Sequence, residues 1–386
     1  MKLQPIMAGR TALDPIVIAT TLTLLGIGAI MIGSASVSIA NDRFGQPLYY
    51  LGQHFLALAL GTGALLVALR MPIEWWNRLS SVLLFAAVAL LIFVLIPGIG
   101  DRENGARRWI NFGPLSLQAS ELARLLILIY LASYCVRQGD ALRSDLSGFA
   151  RPMVLIGLCG VLLLLEPDFG ATVVLTATAL GLLFIAGARM RDVALASAVA
   201  AVLFGLLIWL EPYRWNRLVY SFLDPWRDAG DSGYQLVNSL IAIGSGTWFG
   251  VGLGEGVQKL HYLPEPHTDF IFAVLAEEFG FVGSTAVIVL FALLVWRAIS
   301  IGQRALDRGL PFHGLLAIGI GMTLGLQAAI SIGVNTGLLP TKGLTLPLIS
   351  YGRTSAVVTL FALGLLLRIS HELAEPPVTE SERRSQ

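Results

Sequence analysis

Apolar residues fall along this chain in runs near the roughly 20 residues that carry a helix across a bilayer. They lie at about 16 to 36, 49 to 69, 79 to 97, 120 to 136, 153 to 165, 169 to 187, 193 to 210, 281 to 296, 314 to 335 and 354 to 368. The pattern predicts an all-α, polytopic membrane protein with about ten transmembrane helices. The first run exceeds the roughly 7 to 15 residues of a signal-peptide core and reads as an uncleaved anchor. An even number of spans returns both termini to one side. Lys and Arg are denser in the N-terminal tail, the even-numbered junctions and the C-terminus, which places both termini in the cytoplasm. The outer face then receives two long connections, about 98 to 119 and 211 to 280, and the stretch 337 to 353. With no repeat and no Ser- or Gly-rich linker, one membrane domain over 15–368 is expected, between a cytoplasmic tail 1–14 and a disordered cytoplasmic tail 369–386.

Within the long outer loop, residues 270–278 have helical propensity and an apolar face, but Gly280 and Gly283 interrupt them before the next span. A half-inserted helix follows from that. The loop is also rich in aromatics (Trp209, Tyr213, Trp215, Tyr220, Trp226, Tyr234, Trp248), which sit at membrane interfaces or stack on sugar rings.

Composition agrees with the span pattern: 55% of residues are hydrophobic, 13% are charged and mean hydropathy is +0.75. Lys and Arg total 26 against 25 Asp and Glu, with no basic block, so a nucleic-acid partner is excluded. Cys135 and Cys159 have no metal-type spacing and read as small packing residues. The Gly-rich run 250–256 lacks the Lys-Ser/Thr of a phosphate loop. Absence of HExxH, GxSxG and CxxC removes metalloprotease, serine hydrolase and thiol-redox readings.

Three clusters carry candidate chemistry. The first, LHYLPEPHTDFIFAVLAEEFG at 260–280, sets His267, Asp269, Glu277 and Glu278 among apolar residues. A charge at bilayer depth costs about 2.5–3.5 kcal/mol on the mildest scales, so such a group faces a wet cavity. Asp269 leads the candidates; Glu277 and Glu278 suit equally the aqueous end of a helix. A helix starting beside Asp269 would also aim its positive dipole end at an anionic ligand. The second cluster, GARRWINFGPLSLQASELARLL from Gly105, holds Arg107, Arg108, Glu121 and Arg124. Glu121 and Arg124, spaced i,i+3, either pair with each other or leave Arg124 to balance Asp269 across a polar cavity. Arg107 and Arg108 suit lipid headgroups or phosphate oxygens alike. In the third, SIGVNTGLLPTKGLTLPLISYGRTS at 331–355, Lys342 is a candidate phosphate-binding charge. Glu166 and Asp168 of LEPDFG fit a tight turn on structural grounds.

In their order and wording, RRWINFGPLSLQASELARL, EPDFG, YQLVNSLIAIGSGTWFGVGLGEGVQKLHYLPEPHTDFIFAVLAEEFGFVG and SIGVNTGLLPTKGLTLPLISYG resemble the SEDS family (shape, elongation, division and sporulation) represented by FtsW and RodA. HTDFIFAV and GLLPTKGLTLP are closer to the division branch, FtsW. The resemblance implies a peptidoglycan glycosyltransferase of the bacterial inner membrane that polymerises lipid II at the septum and releases undecaprenyl diphosphate. It carries the catalytic carboxylate to Asp269 and its basic partner to Arg124. Arg107, Arg108, Glu121, His267, Lys342 and Arg353 become candidates for holding substrate or diphosphate. A divalent cation (Mg or Mn) and no organic cofactor are expected. So are a class B penicillin-binding transpeptidase and other divisome membrane proteins as partners. A lipid II flippase or a non-catalytic division scaffold would share these features. The gathering of polar residues on the outer side favours the enzyme. The chain departs from the family's wording at Ala119, Glu166 and Arg353-Thr354.

Overall fold

The structure is a computed structural model and describes residues 13–103, 106–112, 115–210, 215, 222–231, 233–341 and 343–374. In chain order these build α1 (Pro15–Phe44), α2 (Tyr49–Arg70), α3 (Ile73–Leu95), β1 (Gly100–Glu103), β2 (Ala106–Phe112), β3 (Leu115–Gln118) and α4 (Ala119–Arg137). Then come α5 (Gly139–Ser144), α6 (Leu146–Leu165), α7 (Phe169–Ile185), α8 (Met190–Trp209), α9 (Tyr234–Ser245), α10 (Ile271–Asp307), α11 (Pro311–Asn335) and α12 (Arg353–Ala374). Among the described residues, nine helices are long and apolar enough to cross a membrane, and the 17-residue α7 supplies the tenth expected span.

Start signals in the sequence fix where several helices begin. Asp14 caps α1, its Oδ1 accepting from the N–H groups of Ile16 at 3.2 Å and Val17 at 3.3 Å, with Pro15 in the first turn. Asp168 caps α7 in the same way, accepting from Ala171 N–H at 3.0 Å. Burial then sorts the helices into layers. The most apolar window of α4 is 83% buried and that of α8 only 6%, so α4 lies at the centre and α8 on the lipid-facing rim. α2 packs chiefly on α12, α10 on α11 and α3 on α4.

Three departures from the sequence expectation matter. The 98–119 connection holds an antiparallel sheet, β1-β2-β3, with Gly100 opposite Ile110 and Trp109 opposite Gln118. Strand pairing satisfies backbone groups that an open loop would leave to water. The last helix continues through 369–374, expected as disordered tail, because Glu372 ties it down. Its carboxylate accepts from Arg368 Nε at 2.7 Å, from the Ile73 N–H at 3.1 Å and meets His313 Nε2 at 2.8 Å. Residues 1–12 and 375–386 lie outside the described ones.

The third departure is at α10. Its first turns are the short helix expected after Asp269, buried on every side from Ile271 to Glu278. They join the span that follows through a break at Gly280, whose φ of 66° and ψ of −161° are non-helical. Only glycine fits: a Cβ there would lie 2.4 Å from the Gly250 nitrogen and 2.6 Å from the Trp248 carbonyl carbon. Gly283, expected to share the interruption, is helical.

Candidate active site

At the end of the bundle that carries the sheet, a cavity of about 570 Å³ opens between five segments of chain. The end of α1 and start of α2 give Arg43, Phe44, Tyr49 and Tyr50; the sheet gives Arg108, Trp109, Ser116 and Gln118. Glu121 of α4 and Asp168 at the head of α7 form another side. Opposite lie Glu265, His267, Thr268 and Asp269, with Gly343–Thr345 and Tyr351–Arg353 from the α11–α12 connection.

The Asp269 wall is positioned by its backbone. Asn335, at the end of α11, donates its Nδ2 to the Asp269 carbonyl at 2.9 Å and accepts from the Ala273 N–H at 3.0 Å. Ser350 Oγ donates to the Thr268 carbonyl at 2.6 Å, and the Tyr351 N–H to the His267 carbonyl at 2.9 Å. Four hydrogen bonds, three of them to the successive carbonyls of His267, Thr268 and Asp269, thus hold this strip between the foot of α11 and the head of α12. The half-buried Asp269 carboxylate lies against Gly343, where a Cβ would approach Oδ2 to 2.9 Å. As expected, α10 begins two residues beyond Asp269, its N-terminus at the cavity.

His267 is buried between Tyr50 and Tyr351, with ring centroids at 4.5 and 5.6 Å. Burial, and secondarily the charge of Arg43, pushes its imidazole down to about 4, so it is neutral at physiological pH. Across the cavity, Asp168 Oδ2 accepts from Ser120 Oγ at 2.9 Å while Oδ1 caps α7. Arg108 donates Nε to the Glu166 carbonyl at 3.0 Å and Nη2 to the Pro167 carbonyl. The Glu166 side chain is fully buried, and burial, reinforced by Asp168, pushes its carboxyl up to about 9 against the pull of Arg108. Protonated, it presents an amide-like neutral group.

Of the sequence candidates, Arg108, Glu121, His267, Asp269 and Arg353 line this cavity together. Arg107 does not: it projects towards α3, where Nη1 donates to the Leu95 carbonyl at 3.3 Å. Alternate residues of a strand face opposite ways, so neighbouring arginines part company. Arg124 is not the partner of Asp269. Its Nη2 lies 2.6 Å from Glu121 Oε1, both side chains buried, because an i,i+3 pair on α4 shares one face. Lys342 lies outside the described residues. Sequence reasoning missed Arg43, the Tyr49-Tyr50 pair, Glu265 and Tyr351, and read Asp168 as chiefly structural.

Residues 15–375 match the family of FtsW, RodA and SpoVE, described as cell cycle protein. The chain belongs to this family. One relative, the probable peptidoglycan glycosyltransferase FtsW of Nitrosococcus halophilus, is 50% identical over 365 residues, 95% of this chain and 94% of that protein. Another, of the same description from Coxiella burnetii, is 49% identical and spans 93% of this chain and 96% of its own. Among solved structures, a chain of a peptidoglycan synthase complex coordinating polymerization and crosslinking superposes with a TM-score of 0.78 at 30% identity, covering 95% of this chain and 99% of that one. The rod shape determining protein RodA of Thermus thermophilus gives 0.71 at 28%, over 95% and 99%. Higher identity to the FtsW relatives agrees with the division-branch wording of the first and third clusters. The fold of this family, an all-α polytopic bundle, is the one described above.

Proposed function

We propose that this protein is a peptidoglycan glycosyltransferase that polymerises lipid II during septal wall synthesis, with Asp269 as general base. Asp269 would take the proton of the acceptor sugar's 4-hydroxyl. The oxygen then attacks the donor's anomeric carbon, and the bond from that carbon to the lipid diphosphate breaks with inversion. A positioned carboxylate contributes typically about 10² to 10⁴ in rate. The diphosphate leaves with the bonding pair, and Arg108 and Arg353, lining the same cavity, are placed to stabilise its charge. The observation that carries this reading is the backbone-held Asp269 wall facing arginine across one cavity of about 570 Å³.

Among the described residues no three His, Cys, Asp or Glu side chains gather as a metal-binding group. A Mg or Mn ion would therefore be held by the diphosphate oxygens with one carboxylate of the cavity wall, Glu265, leaving Asp269 to act as base. It would supply charge neutralisation to the departing group.

A flippase needs a polar route through the whole bundle. The voids next to Arg124, deeper in the bundle, are about 10 and 30 Å³, and beyond the polar heads of Glu121 and Arg124 their walls are largely aliphatic. That favours the enzyme over the transporter. With the termini cytoplasmic, the cavity opens on the outer face, where lipid II is presented. The solved complex, which coordinates polymerization with crosslinking, supports a penicillin-binding transpeptidase as partner.

The test is polymerisation of lipid II by purified protein, alone and with such a transpeptidase. Asp269→Ala should abolish glycan strands while its thermal melt stays that of the parent. Normal strand synthesis by that variant removes the role, and lipid II movement across vesicles without any polymer returns the flippase.

A further inference from the structure

Between α9 and the Asp269 wall, the loop is built inside out for a segment in water. Trp248, Phe249, Val251, Leu253, Val257 and Leu260 are all exposed, Phe249 by 78%. The Val257 and Gln258 N–H groups and the Lys259 ammonium instead turn inward and find partners there. Glu277 accepts from the N–H groups of Val257 at 2.9 Å and Gln258 at 3.3 Å. Lys259 donates Nζ to Ser34 Oγ at 2.7 Å, to the Gly254 carbonyl at 2.8 Å and to the buried Glu278. A buried ion pair is tolerable when further hydrogen bonds complete it, and Lys259 has three partners.

Irregular backbone at bilayer depth needs its polar groups turned into protein, and here the N–H groups of Gly250, Val251 and Gly252 donate to the carbonyls of Gly246 at 2.7 Å, Glu277 at 3.0 Å and Glu278 at 3.2 Å. The apolar surface also runs without interruption onto a spanning helix. N–H groups of Phe281 and Val282, just past the Gly280 break, donate to the carbonyls of Thr247 at 2.9 Å and Trp248 at 3.1 Å. The Trp248 and Phe281 rings meet edge-on at 5.3 Å. Phe281 and Val282 are exposed on α10, so the side of that helix turned to lipid continues into the loop.

We propose that Trp248–Leu253 is immersed among the acyl chains of the bilayer, an anchor that fixes the depth of the Glu265–Asp269 wall. Exposed Glu255 and His261, the latter 2.8 Å from Asp42, mark where the loop climbs back to the headgroups. This inference rests on the bundle's membrane setting and not on the reaction assigned to Asp269. Failure of one leaves the other standing.

Collision accessibility of nitroxide labels tests it. Single cysteines at Phe249, Leu253 and Glu255, and at the rim residue Leu203 of α8 as reference, go into full-length protein whose Cys135 and Cys159 are replaced by alanine. The protein is reconstituted in phosphatidylethanolamine–phosphatidylglycerol vesicles. Labels at 249 and 253 should match Leu203, colliding several-fold more with oxygen than with an aqueous nickel chelate, and the label at 255 should reverse that ratio. Preference for nickel at 249 and 253 overturns the proposal. So does shielding from both reagents, which signals a protein covering the patch. Should the cysteine-free protein not fold, Trp248→Phe in the parent chain answers the same question. It should remove emission that brominated acyl chains quench; loss of an acrylamide-quenched component instead overturns the anchor.

Discussion

The two ends of the bundle handle buried charge differently. Away from the sheet, buried and half-buried acids have their countercharges. Asp14 lies 2.7 Å from Arg297 and 3.7 Å from Arg304, Asp192 is 2.7 Å from Arg189, and Glu372 is 2.7 Å from Arg368. At the cavity end, the His267 Nδ1, the Ser116 Oγ and both carboxylate oxygens of Glu166 are buried and make no hydrogen bond among the described residues. Ion pairs hold helices together, whereas unused hydrogen-bonding capacity beside an open cavity marks where something else is received.

The sharpest way to break this contrast lies between the two regions, at Glu121–Arg124. Removing one partner of a buried pair costs about 3–5 kcal/mol, so Glu121→Ala or Arg124→Ala should lower the unfolding midpoint markedly. Replacing both with Met should recover most of it. A double variant as unstable as the sum of the singles would show no coupling. Next in size is the split between adjacent arginines: Arg108→Ala should slow polymerisation by about 10²–10³, the usual loss for one stabilising donor, while Arg107→Ala leaves the rate nearly unchanged. Equal losses would dissolve the distinction between lining and non-lining residues.

Glu166 gives a smaller, pH-dependent effect. Its folded carboxyl is raised from the usual carboxylate range to about 9. Stability is therefore unaffected below the unfolded value and declines as pH rises towards the folded one. Glu166→Gln should raise the melting midpoint at pH 8, with the difference vanishing near pH 4. A pH-independent difference would contradict the neutral form. Asp14 should show the opposite sign and the least effect. Burial opposes its ionisation, but Arg297 and the Val17 and Ile16 N–H groups outweigh it and hold the carboxyl below its ordinary value. The parent's advantage over Asp14→Asn should be complete above the unfolded carboxylate range and fade as pH falls through the folded value, with polymerisation at neutral pH unchanged.

Spans were legible because length and hydrophobicity decide them, and Gly280 because a glycine between a short helix and a long one has few other uses. The sheet was not, although Asn104-Gly105 is a hairpin signal and Gly113-Pro114 a turn signal that could have been weighed against the all-α pattern. Asp269 stood out as a carboxylate in hydrocarbon. Arg43 did not, since a cation in the last turn of a helix complements its dipole and needs no further purpose. Asp168 concealed itself by doing two things, capping α7 and facing the cavity. For Arg124 the spacing offered two partners, and only three-dimensional placement chose between them.

Gly280 ties the reacting wall to the outside of the molecule. Because a neighbouring backbone fills the space where its side chain would stand, the short helix behind Asp269, the oily loop and the ensuing span meet at one crossing without slack. Even alanine there would have to push these three apart. A change far from any sugar would then be felt as a misaimed carboxylate, in a protein that still inserts and still spans.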